Sequence, residues 1–147
     1  MDVKPRQGDN AHLHDMLESA RLAVSYVRGQ TFEQFWDDSK ARDAVAMRLT
    51  VIGEAAGRVS AETVTKLPAV PFHQIRGIRN RIAHTYDRVD FREVWTITQH
   101  DLKPLVAELE KYLQQPALRQ GLAQKVQQAP HRNIQTPRPR QRPRMGM

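Results

Sequence analysis

Cysteine is absent from the 147 residues. Disulfides, a thiolate nucleophile, iron–sulfur clusters and cysteine-held zinc are excluded with it. No apolar run approaches the ~20 residues that a membrane-spanning helix needs. The opening stretch from Met1 to Asn10 is polar, unlike a secretory leader. A cytoplasmic protein with no membrane association is the expectation. No segment of length alternates apolar and polar residues as a half-buried strand does.

Acid is missing from the C-terminal end. After Glu110 there is neither Asp nor Glu. Of the 23 basic residues seven lie in 114–147, which leaves 16 against all 16 acids in the rest of the chain. The whole net charge of +7 therefore belongs to the tail. Five prolines (Pro116, Pro130, Pro137, Pro139 and Pro143) accompany it, and its last twenty residues hold almost nothing apolar. Such a segment cannot bury enough surface to offset its ordering entropy. Two regions are expected: a helical domain over 1–115, and a basic Pro/Arg-rich tail over 116–147, disordered from about Ala129. The tail could dock on phosphates or simply keep the chain soluble.

What is present reads as helix. Asp9 is placed to cap a first helix with Leu13, Leu17, Ala20, Val24 and Val27 on one stripe, and Gly29 fits its stop. Thr31-Phe32-Glu33-Gln34 has the form of a capping box. A longer helix from about Ser39 carries Ala41, Ala44, Val45, Arg48, Leu49, Ile52, Ala55, Ala56 and Val59 on its stripe, with Gly53 and Gly57 suited to close packing. Ser60 begins another turn. A helix is expected from about Pro71 through Ile75, Ile78 and Ile82. Asp90 to Glu93 has capping-box spacing for a last helix reaching Leu113, which Pro104 should kink or restart. The fold class is all-α, a bundle of four to five helices.

Most chemistry lacks support. Asp37 and Asp38 form a helix-end pair with no opposing carboxylates, and Glu108 and Glu110 suit a solvated face. His12 and His14 are two apart, on different helix faces, so no metal site is expected. No cofactor is expected either. The dense region is Phe72 to Asp87, with Arg76, Arg79, Arg81, His73, His84 and Tyr86 on an isoleucine-anchored helix. Arginine holds phosphate in bidentate fashion and stabilises charge developing on it. Histidine transfers protons near neutrality. A ribose 2′-hydroxyl could then be the nucleophile, and only RNA supplies one. The plainer reading is that Arg79 pairs with Asp87 or Asp90 while His84 sits at a helix C-terminus.

Here the chain resembles HepT-type toxins of the HEPN superfamily. Arg79-Asn80-Arg81-Ile82-Ala83-His84-Thr85-Tyr86 matches their R-N-x-x-x-H-x-Y signature. Arg6 and His12 also fit the looser Arg–His spacing, but lack the Asn and Tyr. The segments from Arg48 to Ala56, Pro71 to Asn80 and Asp101 to Leu105 are similar to the family as well. Phe72 departs from it where tryptophan is expected. The resemblance spans about residues 9–113. It implies a HEPN-like homodimer, or a higher oligomer, with two motifs sharing one cleft. It implies a metal-independent endoribonuclease toxin of a type VII-like toxin–antitoxin pair. Arg79 and His84 would be catalytic, and Asn80, Arg76, Arg81 and Tyr86 would bind the RNA substrate. A cognate MntA-like nucleotidyltransferase antitoxin would neutralise it by attaching AMP to Tyr86, which lies seven residues after Arg79 and would share its face if the helix persists. The competing reading is a non-catalytic helical nucleotide-binding or docking partner of that nucleotidyltransferase.

Overall fold

The computed structural model describes residues 8–83 and 88–115. Eight α-helical segments and one π-helical turn follow in order. They are α1 (Asp9–Val27), α2 (Phe32–Asp37), α3 (Ser39–Arg58), α4 (Ala61–Thr65), α5 (Phe72–Arg76), α6 (Ile78–Ile82), α7 (Phe91–Thr96), the π turn (Ile97–Asp101) and α8 (Leu102–Leu113). The architecture is all-α, as expected. Among the described residues the one extended pairing is an antiparallel bridge between Ala83 and Val89. The basic tail and Arg6 lie outside the described residues.

The long helices form where the apolar residues recur every three to four positions. In α1, Leu13, Met16, Leu17, Ala20, Ala23 and Val27 are buried. In α3 the buried stripe is Ala41, Val45, Leu49, Ile52, Ala55 and Ala56, and in α8 it is Leu102, Leu105, Leu109 and Leu113. Helix α1 packs on both α3 and α8, while α5 and α6 pack on α3. Each large side chain fully removed from water there contributes about 1.5–3 kcal/mol.

Chain ends of the helices follow local chemistry. Gly29, with φ of 75°, stops α1 in the left-handed region that glycine tolerates. The Thr31 capping box is complete, with Gln34 reaching back to the Thr31 N–H at 2.9 Å. Asp38 accepts from the Ala41 N–H at 3.0 Å and opens α3.

Three expectations are corrected. Gly8, not Asp9, precedes α1, and Asp9 is its first residue. The Asp9 carboxylate is buried and accepts hydrogen bonds from the Ser60 N–H at 3.1 Å, the Ser60 hydroxyl and the Thr63 hydroxyl at 2.6 Å. It joins the start of α1 to the start of α4. Second, the helix from Pro71 divides at Gly77, whose N–H is shared between the carbonyls of His73 and Gln74. Third, the last helix is interrupted before Pro104, not at it. Proline offers no N–H to the carbonyl four residues back and its ring crowds that carbonyl. The π turn over Ile97–Asp101 widens the backbone just there.

Candidate active site

Helix α6 carries the centre of the motif. Ile78 and Ile82, four residues apart, are buried against the core and fix its orientation. Arg79, Asn80 and Arg81 between them are exposed. The helix is held from below by close approach of α5 to α3: a Cβ at Gly53 would stand 3.2 Å from the Ile75 carbonyl oxygen. Gly57 has no such neighbour, so only one of the two glycines serves packing.

The helix ends early. Ala83 is extended, bridges Val89, and the Asp90 N–H donates to the Ile82 carbonyl at 2.6 Å. The chain therefore leaves α6 at Ala83 and re-enters the described structure beside it. Because α6 stops at Ile82, the helical-face argument that would align Tyr86 with Arg79 does not apply. His84, Tyr86 and Asp87 lie outside the described residues. Covalent bonding alone sets His84 directly after Ala83, five residues beyond Arg79 in the chain.

The four described motif arginines and amides divide sharply. Arg76 donates from Nε to the Ala56 carbonyl at 3.0 Å and from Nη2 to the Val59 carbonyl at 3.1 Å. It satisfies the Val59 carbonyl just beyond α3 and gives the Ala56 carbonyl a second donor beside the Val59 N–H at 3.3 Å. Its guanidinium also lies 5.7 Å from the Phe72 ring. Arg81 forms ion pairs with Glu93 of α7 and, at 2.6 Å, with Asp101 of the π turn. Burial opposes the Arg81 charge, but the bonds to Asp101 and Glu93 outweigh it and hold its pKa above the ordinary value. Both side chains were expected beside the substrate, and both guanidinium groups are instead held by protein partners. Arg79 makes no ion pair among the described residues, and Asn80 is exposed beside it. Among the described residues Arg81 carries the ion pairs of this helix, the acid Asp90 caps α7 through the Glu93 N–H at 3.1 Å, and Asp87, the other acid foreseen for Arg79, lies outside the described residues.

Glu93 and Asp101 escaped sequence reasoning. The signal for Glu93 was its place in the Asp90–Glu93 spacing. Its backbone takes the cap, while its side chain turns to Arg81. Asp101 gave no signal, because it reaches Arg81 only through the π turn. A groove of about 750 Å³ borders this ion-pair group, with His73, Gln74, Arg81, His100 and Asp101 on its rim. Among the described residues no three carboxylate or imidazole groups converge as metal ligands do, and no helix is long and apolar enough to cross a membrane.

Comparison with known proteins agrees with the motif. A protein of Thermococcus cleftensis named a probable ribonuclease HepT is 30% identical over 100 residues, covering 68% of this chain and 91% of that protein. Two proteins of Methanocaldococcus jannaschii, each named as a candidate RNase, are similar too. One is 31% identical over 100 residues, covering 68% of this chain and 92% of its relative. The other is 28% identical over 109 residues, covering 74% and 90%. No solved structure matches the chain significantly. The family described as Ribonuclease HepT-like matches residues 16–112, a span that holds α3, most of α1 and α8 and the whole of the motif, and the chain belongs to this HepT-like ribonuclease family of all-α HEPN proteins.

Proposed function

We propose that the chain is a metal-independent endoribonuclease whose catalytic pair is Arg79 and His84. The observation that carries this reading is the contrast on α5 and α6. Arg76 and Arg81 are tied into the fold, while Arg79 stands exposed beside Asn80, five residues ahead of His84 in the sequence, in a chain of a ribonuclease family. Arg79 holds the scissile phosphate through paired N–H donors. His84 takes the proton of the 2′-hydroxyl as its oxygen bonds to phosphorus, and returns it to the 5′ oxygen as that bond breaks. The products are a 2′,3′-cyclic phosphate and a free 5′-hydroxyl. Asn80 orients the phosphate. A homodimer brings two such convex helices together and forms the cleft that one α6 lacks.

In this reading the protein is the cytoplasmic toxin of a toxin–antitoxin pair. A nucleotidyltransferase partner attaches AMP to the Tyr86 hydroxyl, and the added anion occupies the place of the RNA phosphate. Tyr26, with 39% of its surface exposed, is the other accessible phenol among the described residues, and Tyr112 is half-buried. Mass spectrometry after co-expression with the partner is expected to place whole AMP units on the Arg81–Arg88 peptide. AMP confined to Tyr26 or Tyr112 rejects the assignment.

The decisive experiment is cleavage of RNA by the purified protein in EDTA. Arg79→Ala and His84→Ala are each expected to lower the rate by about 100- to 10,000-fold, whereas His12→Ala, altering the decoy pair, stays active. An unaltered protein that cleaves nothing while still binding the nucleotidyltransferase favours the docking-partner reading.

A further inference from the structure

Aromatic residues are scarce in this chain, and they are not scattered. Of four phenylalanines and two tryptophans, five meet where α2 faces α7. Phe35 lies 5.2 Å from Trp95 and 6.5 Å from Phe91, and Phe32 lies 6.0 Å from Trp36 and 6.1 Å from Trp95, measured between ring centroids. Phe35 is fully buried, so core packing accounts for it. It does not account for Trp36, which leaves 50% of its surface in solvent at the mouth of a groove of about 600 Å³.

Two arginines flank these rings. The Arg42 guanidinium lies 5.5 Å from the Trp36 ring and 4.8 Å from the Phe91 ring, and Arg92 lies 4.2 Å from the Phe32 ring. The Arg42 Nε is buried and has no hydrogen-bond partner among the described residues. Glu33 and Asp37 stand on the α2 side of the groove, and the Asp90 carboxylate is engaged in capping α7. Three carboxylates thus border the groove beside one lining arginine, Arg92, which is exposed on the α7 side. The groove also includes Val89, which bridges Ala83, the residue that follows α6.

An exposed indole and guanidinium groups lying on ring faces together match one ligand chemistry: the flat face of an unpaired nucleobase. Bases splayed from single-stranded RNA stack on aromatic rings and arginine planes. We infer that this groove is a nucleobase subsite, in which Trp36 stacks an unpaired base of the RNA while Arg92 faces its backbone. This rests on the ribonuclease reading above and adds to it a preference for unpaired RNA close to the cleaved bond.

Binding of the full-length protein to a short 2′-O-methyl oligonucleotide, which offers no 2′-hydroxyl nucleophile, tests this by fluorescence anisotropy. Trp36→Ala is expected to weaken binding by about 5- to 100-fold, the range of a lost base–aromatic stack. Trp36→Phe, which keeps a ring, stays within about threefold. An oligonucleotide carrying one abasic sugar in the stacked position binds the unaltered protein more weakly and no longer distinguishes it from Trp36→Ala. The subsite is rejected if Trp36→Ala binds intact and abasic oligonucleotides as the unaltered protein does. It is also rejected if the loss persists unchanged with abasic RNA, or if sedimentation shows that Trp36→Ala dissociates an oligomer, which makes this face a protein interface. Cleavage of ordinary RNA is measured in parallel. Trp36-dependent binding without any cleavage overturns the ribonuclease reading alone, and cleavage with Trp36-independent binding overturns the subsite alone.

Discussion

Side chains of one chemical type do opposite work within a few residues of this chain. Arg76 and Arg79 are three apart, yet Arg76 bonds two helix-end carbonyls and Arg79 faces solvent. Thermal unfolding separates the two roles. Arg79→Ala is expected to leave Tm within a degree or two while abolishing cleavage. Arg76→Ala leaves the Val59 carbonyl without a donor and the Ala56 carbonyl with the Val59 N–H alone, and should cost about 2 kcal/mol, since bonds from a charged donor contribute ~1.5–3 kcal/mol each and do not add fully. Arg76→Lys should recover little, because a single ammonium cannot reproduce the fork that spans both carbonyls. Asp9 permits a second test at this scale. Burial opposes its ionisation, but hydrogen bonds from Ser60 and Thr63 together with nearby His12 prevail and hold its pKa below the usual 3.8. A carboxylate depressed in the folded state adds stability above its unfolded pKa and loses it as pH falls through the folded value. The stability difference between the unaltered protein and Asp9→Asn should thus be full at neutral pH and shrink below pH 3.8. Denaturant melts at a series of pH values check this, and a difference that grows on acidification contradicts it.

Helices in this molecule are bounded as much by neighbours as by their own sequence. Gly53 and Gly57 occupy successive turns of α3 and would be exchangeable in an isolated helix. A Cβ at Gly53 meets the Ile75 backbone at 3.2 Å, whereas one at Gly57 meets nothing within 4 Å. Replacing helical glycine by alanine gains about 1 kcal/mol in backbone terms. Gly57→Ala should therefore raise stability by up to about that amount. Gly53→Ala should lower it, because a backbone carbonyl cannot turn away as a side chain can. Equal shifts in chemical denaturation midpoint for the two variants refute the close approach of α5 to α3. The π turn illustrates the same dependence. It is placed by Pro104, and it carries Asp101 to Arg81, so a residue three positions after the turn helps determine how α6 is held.

For the whole molecule the question is how a neutral body and a strongly basic tail divide the work. Every periodic apolar stripe lies before residue 114, and seven bases without a single acid lie beyond it. A chain ending at Gln115 is expected to fold and self-associate, with cooperative melting and the same number of protomers per particle by sedimentation as the full chain. It should bind RNA more weakly, and log Kd should vary less steeply with log salt, since every phosphate that a base neutralises releases close to one counterion and the shortened chain neutralises fewer. An identical salt slope with and without 116–147 means that the tail does not touch RNA.

Periodicity and end chemistry sufficed to read the all-α class, the three long helices and the caps at Thr31, Ser60 and Asp90, because each rests on residues within four positions of one another. The motif from Arg79 to Tyr86, a contiguous pattern, likewise needed no coordinates to point to the family. Allocation of the remaining charges could not be read in that way. Arg76 reaches carbonyls 17 and 20 residues away, Arg81 reaches acids 12 and 20 residues away, and Asp9 reaches Ser60 and Thr63 across more than fifty. Nothing local distinguishes such an arginine from the exposed Arg79. The aromatic groove is of the same kind, since α2 and α7 lie some sixty positions apart and meet only once the bundle closes. Local hydrogen bonding and a repeating apolar stripe are properties of the chain, while which charge is neutralised and which is left for a ligand is a property of the packed core that brings distant helix ends together.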